Sequence, residues 1–214
     1  KGKTVLITAG PTREHLDPVR FLSNPSSGKM GYELAREAIA RGAKTILVSG
    51  PTTLVPPAGA QTEMVETAAE MEKACLKAFP KADIVVMAAA VSDFRFKNAR
   101  ERKAAKDEIG SSLAVERTPD ILALLGKKKT PGQLLVGFAA ETHDIVAHAR
   151  KKLAAKDADL MVARNLLEHL ATGAAAHSDH GRDVVETLLK TARGEAPNYV
   201  ITDKAKLMVL AKEY

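Results

Sequence analysis

Tryptophan is absent from this 214-residue chain, and aromatic residues make up only 4% of it. Stacking platforms for single-stranded nucleic acid are therefore poorly supplied. The 32 Lys and Arg residues are interleaved with 26 Asp and Glu. The net charge of +6 thus forms no long basic stripe, and nucleic acid is not an expected partner. A single cysteine, Cys75, excludes an intramolecular disulfide and fits a reducing compartment. It falls in a helical pattern and reads as a buried structural thiol. No uninterrupted apolar segment approaches membrane-spanning length and no signal peptide precedes the first strand. A cytoplasmic protein without a membrane partner is expected. Neither GxxxxGKS/T nor GxGxxG is met, so the P-loop and the dinucleotide fingerprint are both missing.

What is present is an ordinary globular composition, 45% apolar and 27% charged, in a chain long enough for one full core. The apolar run Thr4–Ala9 ends at Gly10-Pro11 and enters about seventeen mostly polar residues before a helical pattern begins at Gly28. That helix carries Met30, Leu34, Ala38 and Ile39 on one face and stops at Gly42. Strand-like runs follow at 45–48, 61–65, 83–90, 134–138 and 160–163, with helical patterns at 68–79, 118–125 and 143–156. Thr118 is read as a helix cap with Pro119 at the first position. Residues 183–201 read as a hairpin in preference to a helix plus a strand, and a last helix is expected from Asp203. The alternation predicts an α/β fold: one doubly wound, mainly parallel Rossmann-like sheet with helices on both faces. Its ligand crevice should lie along the strand ends at 9–10, 88–93 and 138–142.

Four features converge on those strand ends. Ser26-Ser27-Gly28-Lys29 opens a helix, where free amides, two hydroxyls and an ammonium can hold phosphate; the same residues are also ordinary capping chemistry. Asn24 can donate to a developing oxyanion and Arg20 can clamp a carboxylate or phosphate, or both can simply order the loop. Ala88, Ala89 and Ala90 let a flat ring approach the backbone or merely pack a strand exit. Asp93 beside them can bind a ribose hydroxyl or magnesium. Lys152 and Lys156 share a helix face and, with Lys97, Lys103 and Lys106, form either a solvated surface or a triphosphate counter-charge.

Taken together, ITAGPTRE-x-LDPVRFLSNPSSGKMG, LVSGP, AAAVSDFR and GFAAET resemble the phosphopantothenate–cysteine ligase family, densely from residue 4 to about 163. The resemblance implies that the 4′-phosphopantothenate carboxylate attacks the α-phosphate of CTP, with magnesium, to give an acyl-cytidylate and pyrophosphate. L-cysteine then displaces CMP. Asn24 matches the asparagine that holds the intermediate, Arg20 the arginine of the same motif, and Lys103 the first lysine of KxKK, which stabilises the phosphoryl transition state. The implied CTP site comprises Gly10, Ser26, Ser27, Gly28, Lys29, Ala88, Ala89, Ala90, Asp93, Lys103, Pro119, Asp120, Ile121, Leu122, Phe138, Lys152 and Lys156.

The same resemblance implies a homodimer. It also implies that residues 1–214 are a single nucleotide-binding ligase domain cut from a longer protein with a flavin-dependent decarboxylase. The choice of CTP over ATP rests on the bacterial character of the motifs. Two positions and one loop depart from the family pattern. Ala105 replaces a KxKK lysine, Arg164 stands where asparagine is usual, and Gly173 to Asp179 keeps fragments of a Gly-Phe-Gly-Ser-Asp loop. The cluster of His177, Asp179 and His180 reads as a polar loop in preference to a metal site. Two other functions remain open: an oxidoreductase on the same kind of sheet, disfavoured by the missing glycine fingerprint, and a drifted, non-catalytic nucleotide-binding domain.

Overall fold

A computed structural model of the chain describes residues 2–141, 143–165, 186, 199–202 and 207–211. Its centre is an eight-stranded sheet. Six strands run parallel: β1 (Thr4–Ala9), β4 (Lys44–Ser49), β5 (Ala60–Met64), β6 (Ile84–Met87), β9 (Leu134–Glu141) and β10 (Leu160–Asn165). Their spatial order, β5-β4-β1-β6-β9-β10, reverses direction between β1 and β6. That is the dinucleotide-fold order, and its switch point places a crevice at the carboxyl ends of these two strands.

Two short antiparallel ribbons lie outside the sheet. One pairs β2 (Arg13–His15) with β3 (Phe21–Ser23), and the other pairs β7 (Phe94–Phe96) with β8 (Val115–Arg117). The first organises the long polar loop in which the sequence reading expected no strand. Residues of so short a ribbon carry little apolar alternation, which is why periodicity passes over them.

Side-chain alternation along the strands divides the core into two layers. Leu6, Val85, Leu135 and Met161 face Met71, Ala74 and Cys75 of α2 (Ala68–Ala78), Leu125 of α3 (Ile121–Lys128) and Leu153 of α4 (Ile145–Ala155). Val5, Ile7, Leu47, Val86, Val136 and Val162 face the other way, toward Tyr32, Leu34, Ala35 and Ala38 of α1 (Lys29–Ala40). Helices thus cover both faces. Leu6 and Met161 are fully buried, and truncating either to alanine should cost about 2–5 kcal/mol.

Several boundaries differ from expectation. Helix α3 starts at Ile121, with Asp120 as its N-cap accepting from the Ala123 amide at 3.0 Å. Thr118 instead donates its hydroxyl to the Ser92 carbonyl. Strand β6 ends at Met87, and two residues on the Ala89 amide turns to the Thr8 hydroxyl at 3.1 Å. The final helix expected from Asp203 is overturned. Leu207–Ala211 is strand β12, antiparallel to both β10 and β11 (Tyr199–Thr202). Its run LMVLA has no polar face to give to solvent, and pairing with β10 overrides the helical pattern. Glu186 is helical and 199–202 is a strand, as in the alternative of a helix plus a strand. The remainder of 183–198 and the segment 166–182, with Gly173 and His177 to His180, lie outside the described residues.

Candidate active site

The switch point is tied together by backbone. The Ala90 amide donates to the Gly10 carbonyl at 2.8 Å, and the Thr12 amide donates to the Ala90 carbonyl at 3.3 Å. The buried Thr12 hydroxyl accepts from the Ser92 amide at 2.9 Å, while Ser23 donates to the Thr12 carbonyl at 2.7 Å. The loops leaving β1 and β6 therefore form one connected floor. Gly50, after β4, lies so close beneath Pro11 that a Cβ there would stand 1.7 Å from the Pro11 carbonyl oxygen.

Two cavities open on this floor. The smaller, about 420 Å³, lies over the ends of β6 and β9. Ala89, Asp93, Asp120, Leu122, Lys152 and Lys156 contribute to it, as do Pro119, Ile121 and Phe138. All nine are positions expected from the sequence. Phe138 borders the cavity while also packing against the α1 layer, as strand parity requires. Lys156 pairs with Asp120, so the α3 cap and the last residue of the α4 turn are joined by one ion pair. Burial pushes the Asp120 carboxyl up, but the hydrogen bonds from Lys156 and the Ala123 amide, with the charges of Lys156 and Lys127, outweigh it. The group is held below the usual carboxylate range.

The larger cavity, about 700 Å³, is lined by Asn24, Ser26, Ser27 and Lys29, together with Arg13, Phe21, Thr52 and Thr53. Helix α1 starts here with Gly28 at the N-cap, a residue that has no side chain to cap it. Gly28 has φ +75°, and a Cβ there would meet Thr52 Cγ2 at 2.7 Å, so only glycine fits. Ser26 and Ser27 accept from the amides of Gly28 and Lys29 at 3.3 and 3.4 Å, long bonds that a better acceptor can replace. This is a helix start able to take an anion.

Asn24 lines the larger cavity and donates its amide to the carbonyl of Val91, which lines the smaller one. The two basins meet at that hydrogen bond. Gly10 and Ala90 belong to the connecting floor, Gly28 lies against Gly10, and Ala88 packs on the α1 core layer. Arg20 and Lys103 are not among the residues lining either cavity. The Arg20 guanidinium donates from Nε to Asp17 at 2.9 Å and from Nη2 to Asp17 and to the Ala104 carbonyl, the latter at 2.8 Å. Lys103 is exposed on the segment between β7 and β8.

Sequence reasoning missed Arg117, Ser92, Thr118 and Met161 in the smaller cavity and Thr52 and Thr53 in the larger. Thr52 and Thr53 had a usable signal, since they follow the carboxyl end of β4 beside the switch point. Arg117 had none, because only the β7–β8 pairing brings it to the site.

Known proteins share this sequence pattern and fold. The profile of the DNA/pantothenate metabolism flavoprotein C-terminal domain family matches residues 1–204. The coenzyme A biosynthesis bifunctional protein CoaBC of Bacillus subtilis is 53% identical over 167 residues, which cover 78% of this chain and 41% of that protein. The crystal structure of the C-terminal domain of a CoaBC superposes with a TM-score of 0.76 at 38% identity, over 91% of this chain and 97% of that one. A Cab2 mutant in complex with phosphopantothenate-cysteine shares the fold, with a TM-score of 0.65 at 18% identity over 75% of this chain and 71% of that one. The chain spans about two fifths of the length of the curated CoaBC relatives, 41% and 42% for the Bacillus subtilis and Vibrio cholerae proteins. With the profile covering nearly every residue and the sheet order, both basins and the Asn24 bridge built from the motifs themselves, the chain belongs to the DNA/pantothenate metabolism flavoprotein C-terminal domain family.

Proposed function

We propose that this chain is a phosphopantothenate–cysteine ligase that consumes CTP. The observation that carries the reading is the Asn24–Val91 hydrogen bond at the meeting of two polar basins, one holding Asp93, Lys152 and Lys156 and the other the α1 start. In the first step a carboxylate oxygen of 4′-phosphopantothenate bonds to the α-phosphorus of CTP. The bond from that phosphorus to the bridging oxygen breaks and pyrophosphate departs. In the second step the amine of L-cysteine attacks the acyl carbon, the acyl–oxygen bond breaks, and CMP leaves with that oxygen as the amine loses a proton.

Within this reading Lys152 and Lys156 neutralise phosphate charge, Lys156 by exchanging Asp120 for the nucleotide. Lys103 adds charge at the phosphoryl transition state. Asn24 donates to the acyl group, giving up Val91 to do so. The Ser26–Lys29 helix start holds phosphate.

Magnesium fits as an ion carried on the phosphates. Among the described residues no three His, Cys, Asp or Glu side chains gather as a protein cage, whereas Asp93 and Asp120 offer hard oxygen at the cavity edge. When bound, it would neutralise the phosphate oxygens.

The two ribbons expose Val19, Phe21, Leu22, Phe94, Leu113 and Val115, with Val19 58% accessible. A second copy of the chain is the occupant that the family resemblance favours for this apolar face. The relatives' bifunctional names support a decarboxylase partner domain in the longer protein. Among the described residues no helix is long and apolar enough to cross a membrane. The free, buried Cys75 suits the cytoplasm.

The test is pyrophosphate release on mixing chain, magnesium, phosphopantothenate and nucleotide without cysteine. Release with CTP and not ATP supports the reading, and CTP binding without pyrophosphate sinks it in favour of a binding module.

A further inference from the structure

Asp17 has a side chain with no exposed surface and accepts five hydrogen bonds. Its Oδ1 takes the amides of Val19 and Arg20, each at 2.9 Å. Its Oδ2 takes Arg20 Nε and Nη2 and the amide of Ala104, the last at 3.3 Å. Arg20 Nη2 in turn donates to the Ala104 carbonyl. Residue 104 is therefore gripped on both sides of its α-carbon, at N–H by a carboxylate and at C=O by a guanidinium, 87 and 84 positions away in the chain. Ala104 is itself buried, while its neighbours Lys103 and Ala105 are exposed. A second tie lies close by, where the Arg100 amide donates to the Leu16 carbonyl at 2.8 Å. Nothing else in residues 97–114 is held to the opening loop by charged groups among the described residues.

An ion pair with its carboxylate buried and its guanidinium partly exposed gives little net stability, because desolvation offsets attraction. Its return here is geometric, for it fixes the backbone next to an exposed lysine. We infer that Asp17 and Arg20 are positioning residues whose task is to set the origin of the Lys103 side chain, so that Arg20 acts through Lys103 and not on substrate. The inference rests on the ligase reading, in which Lys103 assists the phosphoryl step. A lysine swings on four rotatable bonds, so a misplaced Cα misdirects its ammonium without touching the nucleotide pocket.

The test is a double-mutant cycle on pyrophosphate release, using Asp17→Asn, Arg20→Gln and Lys103→Ala. Lys103→Ala alone should lower kcat by about 100-fold or more. Asp17→Asn and Arg20→Gln should each lower kcat by roughly tenfold, with KM for CTP within about twofold of the parent. Neither should lower it further when added to Lys103→Ala, since both act through that side chain. Losses that multiply, or a raised KM with unchanged kcat, overturn the inference. If Lys103→Ala is silent, the ligase role of Lys103 fails instead, and the two failures are distinguished. Should Asp17→Asn not fold, Arg20→Gln decides. Arg20 is 37% exposed and its removal leaves Asp17 with three backbone donors.

Discussion

The Asn24 amide donates to the Val91 carbonyl at 2.9 Å, so the loop that opens α1 and the loop that closes β6 share one bond at the boundary of two basins. Asn24→Asp replaces that donor with an acceptor facing a carbonyl. Formation or retention of the acyl-cytidylate should fall by about 10²-fold, the scale of losing one donor to a developing charge. CTP affinity should change far less. Rapid quench with labelled CTP measures the first and calorimetry the second, and equal losses would show that Asn24 only orders the loop.

Lys156 and Asp120 form a partly exposed pair, which contributes at most about 1 kcal/mol to folding. Lys156→Ala should therefore leave the denaturation midpoint almost unmoved while raising KM for CTP by about fivefold or more. Asp120→Asn retains a capping side chain and an oxygen at the cavity edge while freeing the ammonium, so its KM should rise less than that of Lys156→Ala. An unmoved KM in Lys156→Ala would place the pair outside the nucleotide site.

Burial, with the charge of Glu63 in support, pushes the Cys75 thiol up to about 12. At pH 8 the folded chain should not react with a disulfide reagent over an hour, and full reactivity should return in guanidinium. A fast native reaction would mean that α2 opens locally.

Asp17 and Asp83 are both held below the usual carboxylate range. The Arg20 side-chain bond does this first for Asp17, against burial and with the Val19, Arg20 and Ala104 amides helping. For Asp83 the Lys3 side-chain bond leads, with the Thr4 amide. Below the ordinary value of 3.8 the unfolded chain takes up protons that the folded chain refuses, so stability present above that pH is lost as pH falls further. Thermal midpoints should drop below about pH 4, and Asp83→Asn should flatten that slope. An unchanged slope in the variant would remove Asp83 from the cause.

Gly50→Ala would drive a methyl group into the Pro11 carbonyl, and the backbone must shift. The expected cost is about 3 kcal/mol or more, read from urea denaturation, because the clash is with main chain and not with a flexible side chain.

The parallel sheet was legible because Val5 to Ile7, Val85 to Met87 and Leu134 to Val136 are apolar on both faces, a signal that needs no partner to interpret. The strand-end part of the smaller cavity, Ala89 and Asp93, was legible for the same reason, whereas Pro119 to Leu122 and Phe138 were expected as individual site residues only through the family resemblance. The grip of Asp17 on Ala104 was not. It joins positions 87 apart, and a lone Asp in a polar loop carries no periodic signal. The strand Leu207–Ala211 was misread as helical because five apolar residues between lysines suit either state, and only the partner β10 decides between them.

That partner has a further consequence. Strand β12 lies antiparallel along β10 from Leu160↔Ala211 to Arg164↔Leu207. It covers a row of amides and carbonyls on a strand whose residues Leu160 to Ala163 are all buried. A chain shortened before Tyr199 would offer that row bare, as a template for any other extended segment. Self-association of such a fragment into sheet-rich aggregates would then reflect an uncapped sheet border, whatever the state of the chemistry at the opposite end of the strands.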